Sequence, residues 1–327
     1  MNISADQIFS IHDEATFNKV ALTIFRYQVV KCDTYNAFVN HLNINIKGVK
    51  HFNEIPFLPI SFFKSHQILS SATEPEITFS SSGTTGQITS KHLVSDVSIY
   101  EKSYNKAFKQ FYGKIEETCI LALLPSYLER DGSSLIYMVD DLLKQSKHPQ
   151  SGYFLHDLTN LYKTLTLLKA ANQKTILIGV TYALLDFVEQ FQIDFPELII
   201  METGGMKGKR KEMIREELHE TLCTGFGVKN IHSEYGMTEL LSQGYSYGKG
   251  IFNCPPWMKI LLRDTSDPLS LIEGKQSGGI NVIDLANFNS CSFIATQDLG
   301  KTYSDGSFEV LGRFDNADIR GCNLLVQ

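Results

Sequence analysis

Between residues 118 and 233 the sequence alternates short apolar runs with amphipathic stretches, and this alternation constrains the fold more than any other feature. Strands are predicted over 118–124, where Pro125 stops the run, and over 152–155, 175–180, 198–201 and 228–233. Helices are predicted between them, over 133–146, 158–171, 182–191 and 208–222. Apolar strands alternating with helices mean α/β layers around a mostly parallel sheet covered on both faces. Upstream, Phe17, Val20, Ala21, Ile24 and Phe25 recur at helical spacing over 16–30, and 34–42 reads as a second short helix. Residues 53–64 hold two prolines and read as an extended or turn segment whose aromatic residues line a core. Thr78 and Phe79 suggest a strand end, and a long helix from Ser95 onward carries Ile99, Tyr104, Ala107, Phe108 and Phe111 on one face. Past Gly250 the texture changes to strands over 257–262, 279–285, 292–296 and 307–311, with an Asp-Gly hairpin signal at Asp305-Gly306. The expected organisation is therefore an α/β core over 1–250 and a small β-rich lobe over 251–327.

With 327 residues, 43% hydrophobic and 20% charged, the chain has the composition of a soluble globular protein with a large core. A net charge of −6 and a pI near 5.9 argue against a main task of gripping nucleic acid or an acidic membrane surface. The basic run 207–211 reads as the solvated first turn of a helix. Met1-Asn2-Ile3-Ser4-Ala5-Asp6 has neither the basic nor the apolar region of a leader, and no uncharged apolar run reaches transmembrane length, so a cytoplasmic protein is expected. Cys32, Cys119, Cys223, Cys254, Cys291 and Cys322 are scattered, without Cys-x-x-Cys or zinc spacing, and read as reduced thiols.

Three polar stretches each follow a predicted strand: Ser80-Ser81-Ser82-Gly83-Thr84-Thr85-Gly86, Glu202-Thr203-Gly204-Gly205, and Glu234-Tyr235-Gly236-Met237-Thr238-Glu239. Ligands of open α/β sheets bind beyond the carboxyl ends of strands, which places all three on one rim. The first suits phosphate, because its glycines let successive N–H groups turn toward an anion, its hydroxyls add donors, and Lys91 could add charge. It is not the P-loop of nucleotide triphosphatases, since Gly86 is followed by Gln87 rather than by Lys. A flexible Ser/Gly linker, a simple turn at Gly204-Gly205 and a helix start at Thr238 and Glu239 are the plain alternatives.

Ser82 to Gly86 resembles the Ser-Gly-Thr-Thr-Gly core of the adenylate-forming enzymes: acyl-CoA synthetases, luciferases and peptide-synthetase adenylation domains. Tyr235 to Glu239 resembles that family's Tyr-Gly-x-Thr-Glu, with Gly204-Gly205 upstream where its adenine-contacting Gly-Gly lies. Thr296-Gln297-Asp298-Leu299 resembles its Thr-Gly-Asp-Leu, with Gln297 in place of Gly, and Gly312-Arg313-Phe314-Asp315 its Gly-Arg-x-Asp. After Gly86 the usual Pro-Lys-Gly is replaced by Ile88-Thr89-Ser90-Lys91-His92. The resemblance implies ATP and Mg²⁺ as cofactors. It implies that Ser81, Ser82, Gly83, Thr84, Thr85 and Gly86 cradle phosphate and that Gly204, Gly205, Glu234, Tyr235 and Gly236 bind the nucleotide, with Tyr235 stacked on adenine. By the same resemblance Thr238 bonds the α-phosphate with Lys91 adding charge, Glu239 holds magnesium, and Asp298 accepts from the ribose hydroxyls beside Arg313.

Only residues 316–327 follow Asp315, so the mobile C-terminal domain of most such enzymes, with its lysine, is expected to be absent. One branch is similar over nearly the whole chain. Residues 55–64 and the short end resemble acyl-protein synthetases of the LuxE type, which activate fatty acid and pass the acyl group to a cysteine near their own C-terminus. The resemblance implies that Cys322 is that cysteine, with Cys291 as its rival, and that an acyl-thioester reductase or an acyltransferase is the partner that collects the acyl group. The alternatives are a phenylacetate-type acyl-CoA ligase and a non-catalytic nucleotide-binding scaffold.

Overall fold

The structure is a computed structural model that describes residues 3–70, 73–81, 88–126, 129, 131–204, 210, 213–272 and 277–313. The described residues fall into two compact units whose sequences interleave. One holds those within Met1–Ser103, Thr238–Ser242 and Asn253–Gln327, and the other Tyr104–Met237 and Gln243–Phe252.

In the second unit the apolar runs form the expected parallel sheet. Strand Cys119–Leu123 pairs in parallel with Gly152–Tyr153 on one side and Thr175–Gly179 on the other; Ile199–Glu202 and then His232–Tyr235 follow, also parallel. Every residue of Cys119–Leu123 and Thr175–Gly179 is buried, which is why these strands read as unbroken apolar runs. Two of this unit's helices start where a side chain caps them: Ser133 for Ser134–Ser146, and Asp157, accepting from the Asn160 N–H at 2.9 Å, for Leu158–Ala170. Helix Arg215–Phe226 ends at Gly227, whose φ of +66° lies in the left-handed region.

Two elements of this unit are displaced along the chain from the sequence expectation. That last helix begins at Arg215 rather than near 208; of the basic run, residues 207–209 and 211 lie outside the described residues, and Arg210 pairs with Asp186 and Glu189. The strand expected over 228–233 is His232–Tyr235, because the Val228 N–H turns back onto the Cys223 carbonyl and the chain needs residues 228–231 to leave the helix. Glu234 and Tyr235 therefore lie within a strand rather than after one.

In the first unit, helix Glu14–Lys31 is capped by Asp13, which accepts from the Thr16 N–H at 2.7 Å, and it buries Phe17, Ala21, Ile24 and Phe25. Strands Met258–Arg263, Gly278–Asp284, Phe293–Thr302 and Phe308–Arg313 pair antiparallel in that order. The proline-flanked segment joins them, with Leu58–Pro59 pairing in parallel with Ile294 and Ala295. Rings of Phe25 and Tyr35 pack on Phe293 at 6.3 and 6.2 Å. By contacts, then, the β-rich stretch from 253 shares one core with the first hundred residues, a division that differs from the expected boundary at 250. A separate two-stranded hairpin pairs Ile77–Ser80 with Lys91–Val94, and helix Val97–Tyr112 follows it. The Ser/Gly stretch thus connects two hairpin strands rather than a strand and a helix. Among the described residues no helix is long and apolar enough to cross a membrane.

A Cβ on Gly225 would stand 2.4 Å from Val188 Cβ, so two helices of the second unit touch there through hydrogen alone. Gly225→Ala should lower the stability of the protein by about 1–3 kcal/mol by urea unfolding, the usual cost of overpacking. Adding Val188→Ala should recover only part of it, because alanine keeps the Cβ that the new methyl meets; equal midpoints for the parent and Gly225→Ala would show that the contact yields without cost.

Candidate active site

Each unit carries part of the sequence-predicted set. In the second unit, Glu202 ends one parallel strand beside Ser233 of the next, which brings Glu202, Gly204, Glu234 and Tyr235 to neighbouring strand ends. Glu202 is buried; its Oε2 accepts the Gly204 N–H at 2.7 Å, and His219 Nε2 stands 3.9 Å from its Oε1. Burial alone would push the Glu202 carboxyl up, but His219, Ser233 and the Gly204 N–H outweigh it and hold the group below its ordinary value. No such donor to Glu234 is found among the described residues. Burial, and then the charge of Glu202, push its carboxyl up to about 8, so it is mostly protonated at neutral pH.

Glycine is required at Gly204, where φ is +73°, and a Cβ there would meet no described atom within 4 Å; the backbone is open on that side. At Gly236 a Cβ would stand 2.3 Å from Glu234 Oε1, so the residue must be glycine for Glu234 to keep its place. The Tyr235 ring is buried and meets Phe252 edge-on at 6.0 Å.

In the first unit, Thr238 and Glu239 form a turn outside any helix or strand. The Glu239 carboxyl is buried, which pushes it up; a hydrogen bond from the Ser90 hydroxyl and the charges of Arg313 and Lys64 pull it partly back. Asp298 and Arg313 are direct partners across two antiparallel strands, with Arg313 Nε 3.9 Å from Asp298 Oδ1. The last two motifs are thereby brought side by side by strand register. At the hairpin, Ser81 donates its N–H to the Ser90 carbonyl at 3.1 Å, and its Oγ accepts the Ser90 N–H at 2.9 Å. Lys91 is exposed, opposite Ser80. The hairpin is a sheet of its own, apart from the parallel strands that carry Glu202 and Glu234, so the expectation that all three stretches share one sheet's rim does not hold. Ser82, Gly83, Thr84, Thr85, Gly86, Gly205 and Cys322 lie outside the described residues.

Glu239 is the side chain here that could hold a cation. It offers a hard oxygen ligand whose burial makes an uncompensated charge costly, a donor set that suits Mg²⁺ arriving with nucleotide phosphates. Among the described residues no group of three His, Cys, Asp or Glu side chains could hold a metal by itself.

Several supporting residues were not foreseen from sequence. Asp284 accepts the Leu241 N–H at 2.8 Å and the Ser242 hydroxyl at 2.6 Å, and Asn287 Nδ2 donates to the Glu239 carbonyl at 2.7 Å. His92 bonds the Thr238 carbonyl. The buried Arg263 guanidinium donates to the Ile280 carbonyl at 2.7 Å and to the Thr296 carbonyl, fixing the strand that leads to Asp298. Each is a polar side chain buried in the fold. That burial signals a hydrogen bond without naming its partner.

The fold is that of adenylate-forming ligases. It is similar to ATP-bound MatB from Rhodopseudomonas palustris (17% identity, TM-score 0.54, 72% of this chain and 47% of that one). It is also similar to 2-hydroxyisobutyryl-CoA ligase in complex with 2-HIB-AMP and CoA (11% identity, TM-score 0.67, 93% of this chain and 70% of that one). A further structure of that ligase, in the postadenylation state with R3-HIB-AMP, matches with 10% identity and a TM-score of 0.69 over 93% of this chain and 68% of that one. The chain thus spans about half the length of MatB. No curated protein sequence matches it significantly. Residues 3–327 match the family described as acyl-protein synthetase, LuxE, and the chain belongs to that family. That is the family whose motifs the sequence resembles.

The Glu234 carboxyl gives a test of the second unit. A group whose folded pKa is raised contributes stability that is complete below its unfolded value of about 4.5 and is lost as pH rises through about 8. Glu234→Gln should remove that contribution's pH dependence, so the fall in urea midpoint between pH 5 and 8 becomes shallower than in the parent. Parallel curves for the two proteins would show that Glu234 ionises normally.

Proposed function

We propose that this enzyme joins a carboxylic acid, with a fatty acid as the family's substrate class, to AMP and then carries the acyl group on its own Cys322. In the first step a carboxylate oxygen attacks the α-phosphorus of ATP, the α–β phosphoanhydride bond breaks, and pyrophosphate leaves. In the second the Cys322 thiolate attacks the acyl carbonyl, AMP departs with the bonding electrons, and a thioester remains. Charge builds on the α-phosphate in the first step, and its stabilisation is the main task of the protein.

The observation that carries this reading is the Glu239 carboxyl, buried in the turn beside Thr238, with Ser90, Arg313 and Lys64 as its neighbours. That setting supports a role for Glu239 as the protein ligand of Mg²⁺, which would neutralise phosphate charge when bound. Asp298, half-buried and opposite Arg313, supplies an acceptor suited to ribose hydroxyls. Tyr235 and Gly204 are the proposed adenine contacts, and Thr238, Lys91 and residues 81–86 the proposed phosphate contacts. Cys291 is a poor alternative acceptor: it is fully buried, burial pushes its thiol well above the usual range, and its Sγ lies 3.5 Å from the Phe293 carbonyl. A thioester held on the protein calls for a second protein to collect it, and an acyl-thioester reductase or an acyltransferase fits that chemistry.

Glu239→Gln should lower acid-dependent ATP–pyrophosphate exchange about a hundredfold or more while leaving the urea midpoint near that of the parent. Exchange that stays near normal and magnesium-dependent would remove Glu239 from the site. Cys322→Ser should keep exchange and lose hydroxylamine-sensitive labelling by radioactive acid, since a serine hydroxyl without a base is a far weaker nucleophile than a thiolate. Persistent label in that variant would assign another cysteine, and formation of acyl-CoA by an unlabelled parent supplied with CoA would assign the acyl group to free CoA.

A further inference from the structure

Residues 238–242 are mostly buried, yet no helix or strand pairs their backbone groups. Such groups need other partners, because an orphaned buried carbonyl or N–H costs about as much as a lost hydrogen bond. The first two carbonyls of the turn are taken by side chains. His92, on strand Lys91–Val94, places Nδ1 2.9 Å from the Thr238 carbonyl and Nε2 2.9 Å from Ser290 Oγ. Asn287 Nδ2 donates to the Glu239 carbonyl at 2.7 Å.

The tautomer of His92 follows from these contacts. A carbonyl oxygen only accepts, so Nδ1 carries the hydrogen and donates it to Thr238. The ring is fully buried, which depresses its pKa to about 4, so it is neutral near pH 7 and Nε2 has no hydrogen. Nε2 therefore accepts from the Ser290 hydroxyl. The Phe63 ring meets the imidazole edge-on at 5.7 Å and closes the remaining side. Ser290 belongs to a segment fixed in its turn by Gln28, whose Nε2 donates to the Asn287 and Phe288 carbonyls at 3.0 and 3.1 Å and whose Oε1 accepts the Ser292 N–H at 3.0 Å.

We infer that His92 is a positioning residue: through its Nδ1–H it fixes the backbone of Thr238 so that the Thr238 and Glu239 side chains are held where they meet the α-phosphate and its cation. The inference rests on the adenylation reading for what the turn does, and on the contacts above for what His92 does. His92 touches no reacting atom in this scheme. Its effect is geometric, and displacement of a reacting group by about 1 Å can cost a hundredfold in rate.

Two substitutions separate the ring's two contacts. The amide of asparagine reaches about as far as Nδ1, and that of glutamine about as far as Nε2. His92→Asn should keep the donor to Thr238 and retain exchange within a few-fold of the parent. His92→Gln should keep a group near Ser290 but lose the Thr238 bond, with kcat for ATP–pyrophosphate exchange falling about tenfold or more and KM for ATP moving less. Amide hydrogen exchange of the peptide covering 238–242, measured without ligands, should speed up in His92→Gln and not in His92→Asn. Equal behaviour of the two variants on that peptide, or activities that follow urea midpoint alone, would overturn the inference. Nitrogen-15 spectra of the parent's histidines give a readout that needs no variant: one buried ring should be the Nδ1–H tautomer, and a His92 found as Nε2–H would overturn the proposal. A parent with no exchange activity but with the expected tautomer and peptide protection would refute the adenylation reading while leaving the His92 contact in place.

Discussion

The turn that carries Thr238 and Glu239 is buried without regular secondary structure, and the polar architecture of the first unit answers that one demand. His92 comes from the hairpin, Asp284 from the end of strand Gly278–Asp284 and Asn287 from the bend after it; between them they pair the Thr238 and Glu239 carbonyls, the Leu241 N–H and the Ser242 hydroxyl. Ser242 also meets the Ser103 hydroxyl at 3.1 Å, and Trp257 Nε1 donates to both. Gln28, from a helix near the chain's start, fixes the bend itself. A network of this kind stabilises little on net but leaves the turn one geometry, since each broken bond would strand a buried polar group.

The carboxyls show how environment divides labour among like groups. Glu202 and Glu234 sit on adjacent strands, yet donors around Glu202 keep it ionised while burial pushes Glu234 up to about 8. Glu239 is raised by burial, while the hydroxyl of Ser90 and the charges of Arg313 and Lys64 pull it partly back. Asp284, raised to about 6 by burial, retains the charge its four donors need.

The parallel sheet was legible in sequence because strands 119–123 and 175–179 are buried on both faces and admit only apolar residues. The motif stretches stood out in the sequence as polar clusters between apolar runs. Strand pairing across long separations was not. That Leu58–Pro59 joins Ile294–Ala295, or that the hairpin encloses the Ser/Gly stretch, depends on contacts more than two hundred residues apart or on a register that local pattern does not encode. The start of helix Arg215–Phe226 was misplaced because charged residues stand on both sides of Met213-Ile214, and periodicity is weak there. His92, Asn287 and Asp284 carry no motif; only their burial and partners reveal what they do.

The central claim is that the acid's own oxygen attacks the α-phosphorus of ATP. Incubating the enzyme with ATP and a carboxylic acid labelled with oxygen-18 in both carboxyl oxygens, and weighing the AMP after the acyl group has been transferred, tests it directly. Adenylation predicts AMP carrying one oxygen-18 and unlabelled pyrophosphate. Label in inorganic phosphate, with ADP rather than AMP as the other product, would mean attack at the γ-phosphorus through an acyl phosphate, and would contradict the account.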